Sequence, residues 1–253
     1  MSKDLDKPFI QRLYDSTSMD DKFTSLEREV KLSGFDAVAY TFTPNLSRLA
    51  KSLQPIFQFS PLFSELVEYY QENNIQQNDI VMRIIEEGEE DIVDWVKGSR
   101  AAMMNTKEEK IKDVIKKNFK VTKGFTFPTL SNDMGYAGVS IISFEEGYTE
   151  QEADPAALNH LKDCSKIYHD HIMMHQEARH EFVLPILESL TQKKKAVLRH
   201  LVSGKPMKNI AEDSDITPRY AEKLLVELRK EFGGISKNEL IYSLGVLNIT
   251  EYL

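Results

Sequence analysis

Cysteine is nearly missing from this 253-residue chain: Cys164 stands alone, so no internal disulfide can form and a reducing compartment is expected. A single cysteine reads as a small packing residue. Tryptophan also occurs once, at Trp95. No apolar run approaches a membrane span, and residues 1–20 lack the apolar core of a signal peptide, so a cytoplasmic protein without a membrane partner is expected. Internal repeats and low-complexity segments are absent. So are a Gly-rich phosphate loop, a Gly-x-Ser-x-Gly elbow and a His-Glu-x-x-His pair, which argues against an enzyme. An overall basic excess is lacking too: the net charge is −8, which by itself speaks against nucleic acid.

That charge is unevenly spread. Residues 190–253 hold 11 Lys and Arg against 8 Asp and Glu, which leaves the other 189 residues with 21 against 32. A mildly basic small domain on an acidic larger one suits a regulator, because phosphate attraction is local. The basic segment reads as short helices. Thr191 to Val202 turns Val197, Leu198, Leu201 and Val202 to one face and ends at Gly204. Pro206–Asp213 is a short helix with Ile210 and Ala211 inward. After the Ser214-Asp215 turn, Thr217 is an N-cap type and Pro218 sits where its missing N–H does no harm. Ala221, Leu224, Leu225 and Leu228 then form one apolar stripe, with Arg219, Tyr220, Lys223, Glu227 and Lys230 largely off it, until Gly233-Gly234 stops the helix. Ser236 and Glu239 have capping-box spacing and open a last helix carrying Leu240, Ile241, Leu244 and Leu247. Short helices with a tight turn before a polar-faced one describe a helix-turn-helix unit.

The longer N-terminal part mixes both element types. Asp6–Tyr14 and Phe23–Leu32 read as amphipathic helices and Asp36–Thr43 as a strand. Pro55–Ser60 is a further strand candidate, and Pro61–Glu72 a helix aligning Leu62, Leu66, Val67 and Tyr70. Asn78–Glu87 is ambiguous. Lys107–Phe119 is a helix with Ile111, Val114, Ile115 and Phe119 inward and lysines outward. Gly124–Leu130 and Ala137–Phe144 are strands joined by a turn-rich loop, and Pro155–Met174 is a long helix. Gln176–Ser189, polar and containing Pro185, connects the two parts. The expected fold class is α+β: an N-terminal α/β/α sandwich over residues 1–172, a linker over 173–188 and an all-α helix-turn-helix domain over 189–253.

Residue choices go beyond pattern. Leu190-Thr191, Val197-Leu198, Gly204-Lys205, Ile210-Ala211 and Ile216-Thr217 resemble, in register and without gaps, the C-terminal domain of LuxR-type transcription factors. The chain departs from that family at Lys194 and Ala196, where acidic residues stand, at Ser214, usually apolar, and at Tyr220-Ala221, usually Thr-Val. Tyr70 and Asp79, nine apart, then Trp95, Gly124-Phe125-Thr126-Phe127-Pro128 and Gly138-Val139-Ser140 resemble the autoinducer-binding domain of the same family. Leu66 stands where the family has a Trp that donates to a lactone carbonyl, and Ile80 replaces a proline. The resemblance implies a quorum-sensing regulator that senses an acyl homoserine lactone or a related signal and binds double-stranded DNA as a homodimer, with no cofactor. It implies a ligand site at Leu66, Tyr70, Asp79, Trp95, Thr126 and Ser140. For DNA we select Lys195, Lys205, Thr217, Arg219, Tyr220, Lys223 and Lys230, and for dimerisation Leu240, Leu244 and Leu247.

Plainer readings stand beside these. Asp79 is equally a helix cap, and Trp95 a core residue. Lys193-Lys194-Lys195 at a helix start is either a solvated run or a phosphate contact that offsets the opposed dipole. His171 and His175 have metal-ligand spacing, but no Cys or carboxylate completes a set nearby, so no metal is expected. Two other functions compete. A response regulator would need acidic residues at a strand end, but Asp20-Asp21 follow no apolar strand. A protein-interaction regulator with altered DNA reading is the alternative that Ser214, Tyr220 and Ala221 suggest.

Overall fold

The structure is a computed structural model and describes residues 7–44, 55–75, 78–95, 104–132, 134–144, 153–175, 187–188, 190–246 and 249–253. The chain divides into two compact units. One is built on a sheet, the other on the helices that follow Leu190. The fold class is α+β.

Five strands make the sheet: β1 (Ala37–Pro44), β2 (Ile56–Phe59), β3 (Val93–Asp94), β4 (Lys123–Asn132) and β5 (Gly135–Ser143). Their order is β2-β1-β5-β4-β3. β3 runs antiparallel to β4, with Val93 opposite Thr126 and Asp94 opposite Phe125. β1 and β5 are buried almost throughout, because helices cover both faces.

On one face lie the helices Phe9–Asp15, Met19–Leu32 and Pro155–Met174. Ser18 caps the second through the Asp21 N–H, and Asp154 caps the third through the Ala156 N–H. Tyr40 of β1 meets Tyr168 edge-on at 5.4 Å, and its hydroxyl is bonded to His169 Nδ1 at 2.7 Å. On the other face a 3₁₀ turn at Pro61–Phe63 leads into Ser64–Glu72, followed by Ile80–Glu86 and Thr106–Asn118. The ambiguous stretch is therefore a helix capped by Asp79.

Thr106–Asn118 differs from its expected packing. Asn105 and Glu108 form a capping box, and Glu108 is the only buried residue of the helix. Ile111, Val114, Ile115 and Phe119 are half-buried. Ile111 and Ile115 border a cavity beneath the helix, and Ile115 and Phe119 also pack against the core cluster that holds Phe63, Leu66 and Val67.

In the second unit, Thr191 caps Gln192–Val202, and a 3₁₀ turn at Met207–Asn209 continues into Ile210–Asp213. Thr217 caps Pro218–Glu231, and Ser236 with Glu239 closes the box before Lys237–Val246. Val197, Leu198, Leu201, Ile210, Ala221, Leu224 and Leu228 make the core. Ala211 is exposed, contrary to its inward assignment, because the helix there has a single turn and Ile210 alone reaches the core. Leu240 and Leu244 are 0% and 1% exposed, so they belong to this core and offer no surface to a second copy. Leu247 lies outside the described residues, as does most of the linker. No described helix is long and apolar enough to cross a membrane.

Candidate functional site

Between the sheet and the second helix layer is a cavity of about 290 Å³. The alternation of β1, β4 and β5 turns Ala39 and Thr41, Gly124 and Thr126, and Gly138 and Ser140 toward it. Phe57, Phe63, Leu66 and Val67 give it an apolar end, and Ile85, Ile111 and Ile115 cover it. Leu66, Tyr70, Asp79, Trp95, Thr126 and Ser140, chosen from sequence, all line this one space.

Asp79 uses both carboxylate oxygens. Oδ1 accepts the Val81 N–H at 2.8 Å, and Oδ2 accepts the Tyr70 hydroxyl at 2.8 Å. Capping and cavity lining are therefore one role. Burial pushes the Asp79 carboxyl above its ordinary value, against the bonds from Tyr70, Val81 and Met82, and the Glu108 charge pushes the same way. Burial and the Asp79 charge likewise hold Tyr70 well above its ordinary value, so it stays a donor. The Tyr70 ring packs edge-on against Phe57 at 5.7 Å, while its neighbour Tyr69 meets Phe119 at 5.4 Å.

A second polar chain runs across the sheet. Trp95 Nε1 donates to Thr126 Oγ1 at 2.9 Å, and Thr126 Oγ1 shares a hydrogen bond with Ser140 Oγ at 2.9 Å. The indole lies on Gly124: a Cβ there would fall 2.3 Å from Trp95 Cε3, so only glycine fits. Gly138 is less tight, its added Cβ meeting Thr126 Cγ2 at 3.1 Å.

Sequence reasoning missed two residues. Arg83 grips Glu108 with two bonds, Nε to Oε1 at 2.8 Å and Nη2 to Oε2 at 3.2 Å. Burial alone would raise Glu108, but Arg83 and the Asn105 N–H hold it below its ordinary value. This pair ties Thr106–Asn118 to Ile80–Glu86 across the cavity edge. The Asn105–Glu108 spacing is a visible signal for the cap, but nothing local points to Arg83.

In the second unit, Arg219, Tyr220, Lys223 and Lys230 are exposed on Pro218–Glu231. Lys193 Nζ sits 5.2 Å above the Tyr220 ring. Lys195 is half-buried. Lys205 is held by Asp213 at 2.8 and 2.9 Å, and Thr217 Oγ1 is occupied as the cap.

The autoinducer binding domain family matches residues 18–171. The fold is similar to that of Escherichia coli SdiA, with a TM-score of 0.57 at 13% identity over 95% of each chain. It is similar also to SdiA in complex with octanoyl-rac-glycerol, with a TM-score of 0.56 at 12% identity, covering 94% of this chain and 92% of that one. The N-acylhomoserine lactone dependent LuxR-family factor CepR2 of Burkholderia cenocepacia matches over 71% of this chain and 94% of its own, at 14% identity and a TM-score of 0.43. No curated protein matches the sequence.

Proposed function

The chain belongs to the autoinducer-binding domain family, and from that premise we propose that it is a ligand-responsive transcriptional regulator of quorum-sensing type. The sheet unit holds a small signal in the cavity, and the helical unit binds DNA as part of a homodimer. Ligand shifts the population of the DNA-competent state by its differential affinity for that state.

One observation carries the choice of ligand: the cavity is largely apolar, and a buried acceptor, Asp79, is fixed at its wall by two hydrogen bonds. Two of the neutral donors around it are committed, Tyr70 to Asp79 and Trp95 to Thr126. Leu66, on the apolar wall, has no donor at all. A lactone carbonyl placed there goes unpaired, at about 1–3 kcal/mol, or about tenfold to a hundredfold in affinity. An acyl chain ending in a hydroxyl or amide N–H that faces Asp79 fits better. SdiA is known with such a molecule, octanoyl-rac-glycerol.

The test is calorimetry of octanoylglycerol and a panel of acyl homoserine lactones on the wild type, Asp79→Asn and Leu66→Trp. The expected result is hydroxyl-bearing ligand bound by the wild type and lost in Asp79→Asn, with lactones gaining in Leu66→Trp. Tight lactone binding by the wild type, unimproved by Leu66→Trp and unaffected by Asp79→Asn, overturns the reading.

A further inference from the structure

Away from the cavity, on the opposite helix layer, three side chains of metal-ligating type converge. Glu29 comes from Met19–Leu32, while His160 and Cys164 stand one turn apart on Pro155–Met174. His160 Nε2 is 2.8 Å from Glu29 Oε2 and 3.6 Å from Cys164 Sγ, and all three ligand atoms lie within 4.8 Å of one another. Glu29 and Cys164 are buried, whereas the His160 side chain is 52% exposed and gives a path from solvent. From this cluster we infer that the protein binds one divalent transition-metal ion, best matched by Zn²⁺, through Glu29 Oε2, His160 Nε2 and Cys164 Sγ.

The donor set decides the class of ion. Thiolate, imidazole and carboxylate together suit zinc, and three protein ligands leave a fourth tetrahedral position for water. A thiolate disfavours Mg²⁺ and Ca²⁺, which take oxygen ligands. The surroundings also suit a ligating carboxylate. Arg12 is hydrogen-bonded to the other Glu29 oxygen, Oε1, and so orients the carboxylate, while Oε2 faces His160 Nε2, the bond that an ion between the two would replace. Binding is an exchange: the Cys164 S–H bond breaks as a sulfur–metal bond forms and its proton goes to water, while His160 gives up its Nε2–H bond to Glu29 Oε2 and ligates as the tautomer protonated at Nδ1. The charge at the site is then one net positive, from the ion, Arg12, the thiolate and the carboxylate. An ion there also joins two helices that otherwise meet at this point through hydrogen bonds, so loading raises the melting temperature.

The histidine pair picked out by spacing is a poorer candidate. The His171 and His175 rings lie 4.1 Å apart, tilted by 40°, beside Tyr14, and no acidic or thiol ligand joins them among the described residues.

The test uses the full chain, stripped with chelator and titrated with Co²⁺ and then Zn²⁺. The expected result is one Co²⁺ per chain, with a thiolate-to-cobalt charge-transfer band in the near ultraviolet that Zn²⁺ bleaches, and a higher melting temperature with Zn²⁺. Cys164→Ser removes the band. His160→Ala, at a half-exposed position, weakens binding by more than tenfold even if Cys164→Ser folds poorly. His171→Ala leaves the band unchanged. The absence of a band in folded wild type, a band that survives in folded Cys164→Ser, or one unchanged in His160→Ala each overturns the assignment.

Discussion

Replacing Arg83 with methionine tests whether the cavity's outer helix is held by one ion pair. The Glu108 side chain is 2% exposed and that of Arg83 39%. Breaking a fully buried pair costs about 3–5 kcal/mol, because the remaining charge is stranded. A fully exposed pair contributes about 0–1 kcal/mol. Arg83 lies between these limits, and Glu108 keeps one partner, the Asn105 N–H at 2.7 Å. The loss is therefore about 2 kcal/mol, or about 4–8 °C in the melting temperature of a domain this size. Adding Glu108→Gln should recover part of it, since a neutral amide is easier to bury than an unpaired carboxylate. The pH dependence has a definite sign. Glu108 has a lowered value in the fold, so its stabilisation is complete above the ordinary carboxylate range and is lost as pH falls through the folded value. The gap between wild type and Arg83→Met should therefore be widest near neutrality and close in acid. Differential scanning fluorimetry from neutral to acid pH, with hydrogen exchange across Thr106–Asn118, measures both effects. Equal melting temperatures at neutral pH, or a deficit that Glu108→Gln deepens, would refute the reasoning.

Gly124→Ala should drive the only indole out of place, at about 1–3 kcal/mol of overpacking, and shift Trp95 emission to the red. An unmoved emission maximum would contradict the close approach of ring and backbone. Burial holds His169 and His171 down at about 4, below the ordinary 6.5, so both are neutral in the fold and the unfolded chain takes up more protons between those values. Stability should fall as pH drops from about 6.5 to about 4, and His171→Leu should flatten part of that slope in acid titrations followed by circular dichroism. Arg219→Ala with Lys223→Ala should weaken DNA binding and flatten the salt slope by about 1 for each phosphate no longer neutralised, read by fluorescence anisotropy. Binding equal to the parent on every DNA would remove the recognition role from Pro218–Glu231. Light scattering with DNA and ligand present should find a dimer, and a monomer under all conditions would sink that part of the proposal.

Local chemistry was legible in the sequence, and remote juxtaposition was not. Thr217-Pro218 marks the start of its helix, Ser236 and Glu239 form their box, and Pro155–Met174 has the bounds its periodicity suggests. Each of those signals acts within about one turn of helix, where spacing fixes geometry. Leu240 and Leu244 carry the same helical signal, but apolar spacing cannot say whether the buried face meets its own domain or another chain; their burial assigns them to their own domain. Ile111 and Ile115 form a stripe that reads as core because a cavity wall and a core ask for the same residue types. Arg83 and Glu108 are 25 residues apart, and Glu29 and His160 are 131 apart, distances over which no local rule operates.

Asp79 shows why two readings of one residue need not compete. A carboxylate has two oxygens and about four acceptor positions. Here one oxygen takes the Val81 N–H that a helix start leaves free, and the other takes the Tyr70 hydroxyl. With the Met82 N–H as a third donor, about one acceptor position remains. The cap fixes the carboxylate's position, and the tyrosine fixes its direction, before any ligand arrives. A group held by its own helix loses little freedom on binding, which favours affinity through preorganisation. Burial there disfavours the charged form of the carboxyl. A ligand N–H or O–H reaching Asp79 relieves that penalty, whereas an apolar or acceptor group placed there adds to it. Selectivity at this end of the cavity thus follows from the number of donors a ligand carries and only weakly from its shape, so at equal chain length an acyl ester without a free hydroxyl should bind far more weakly than the corresponding acylglycerol.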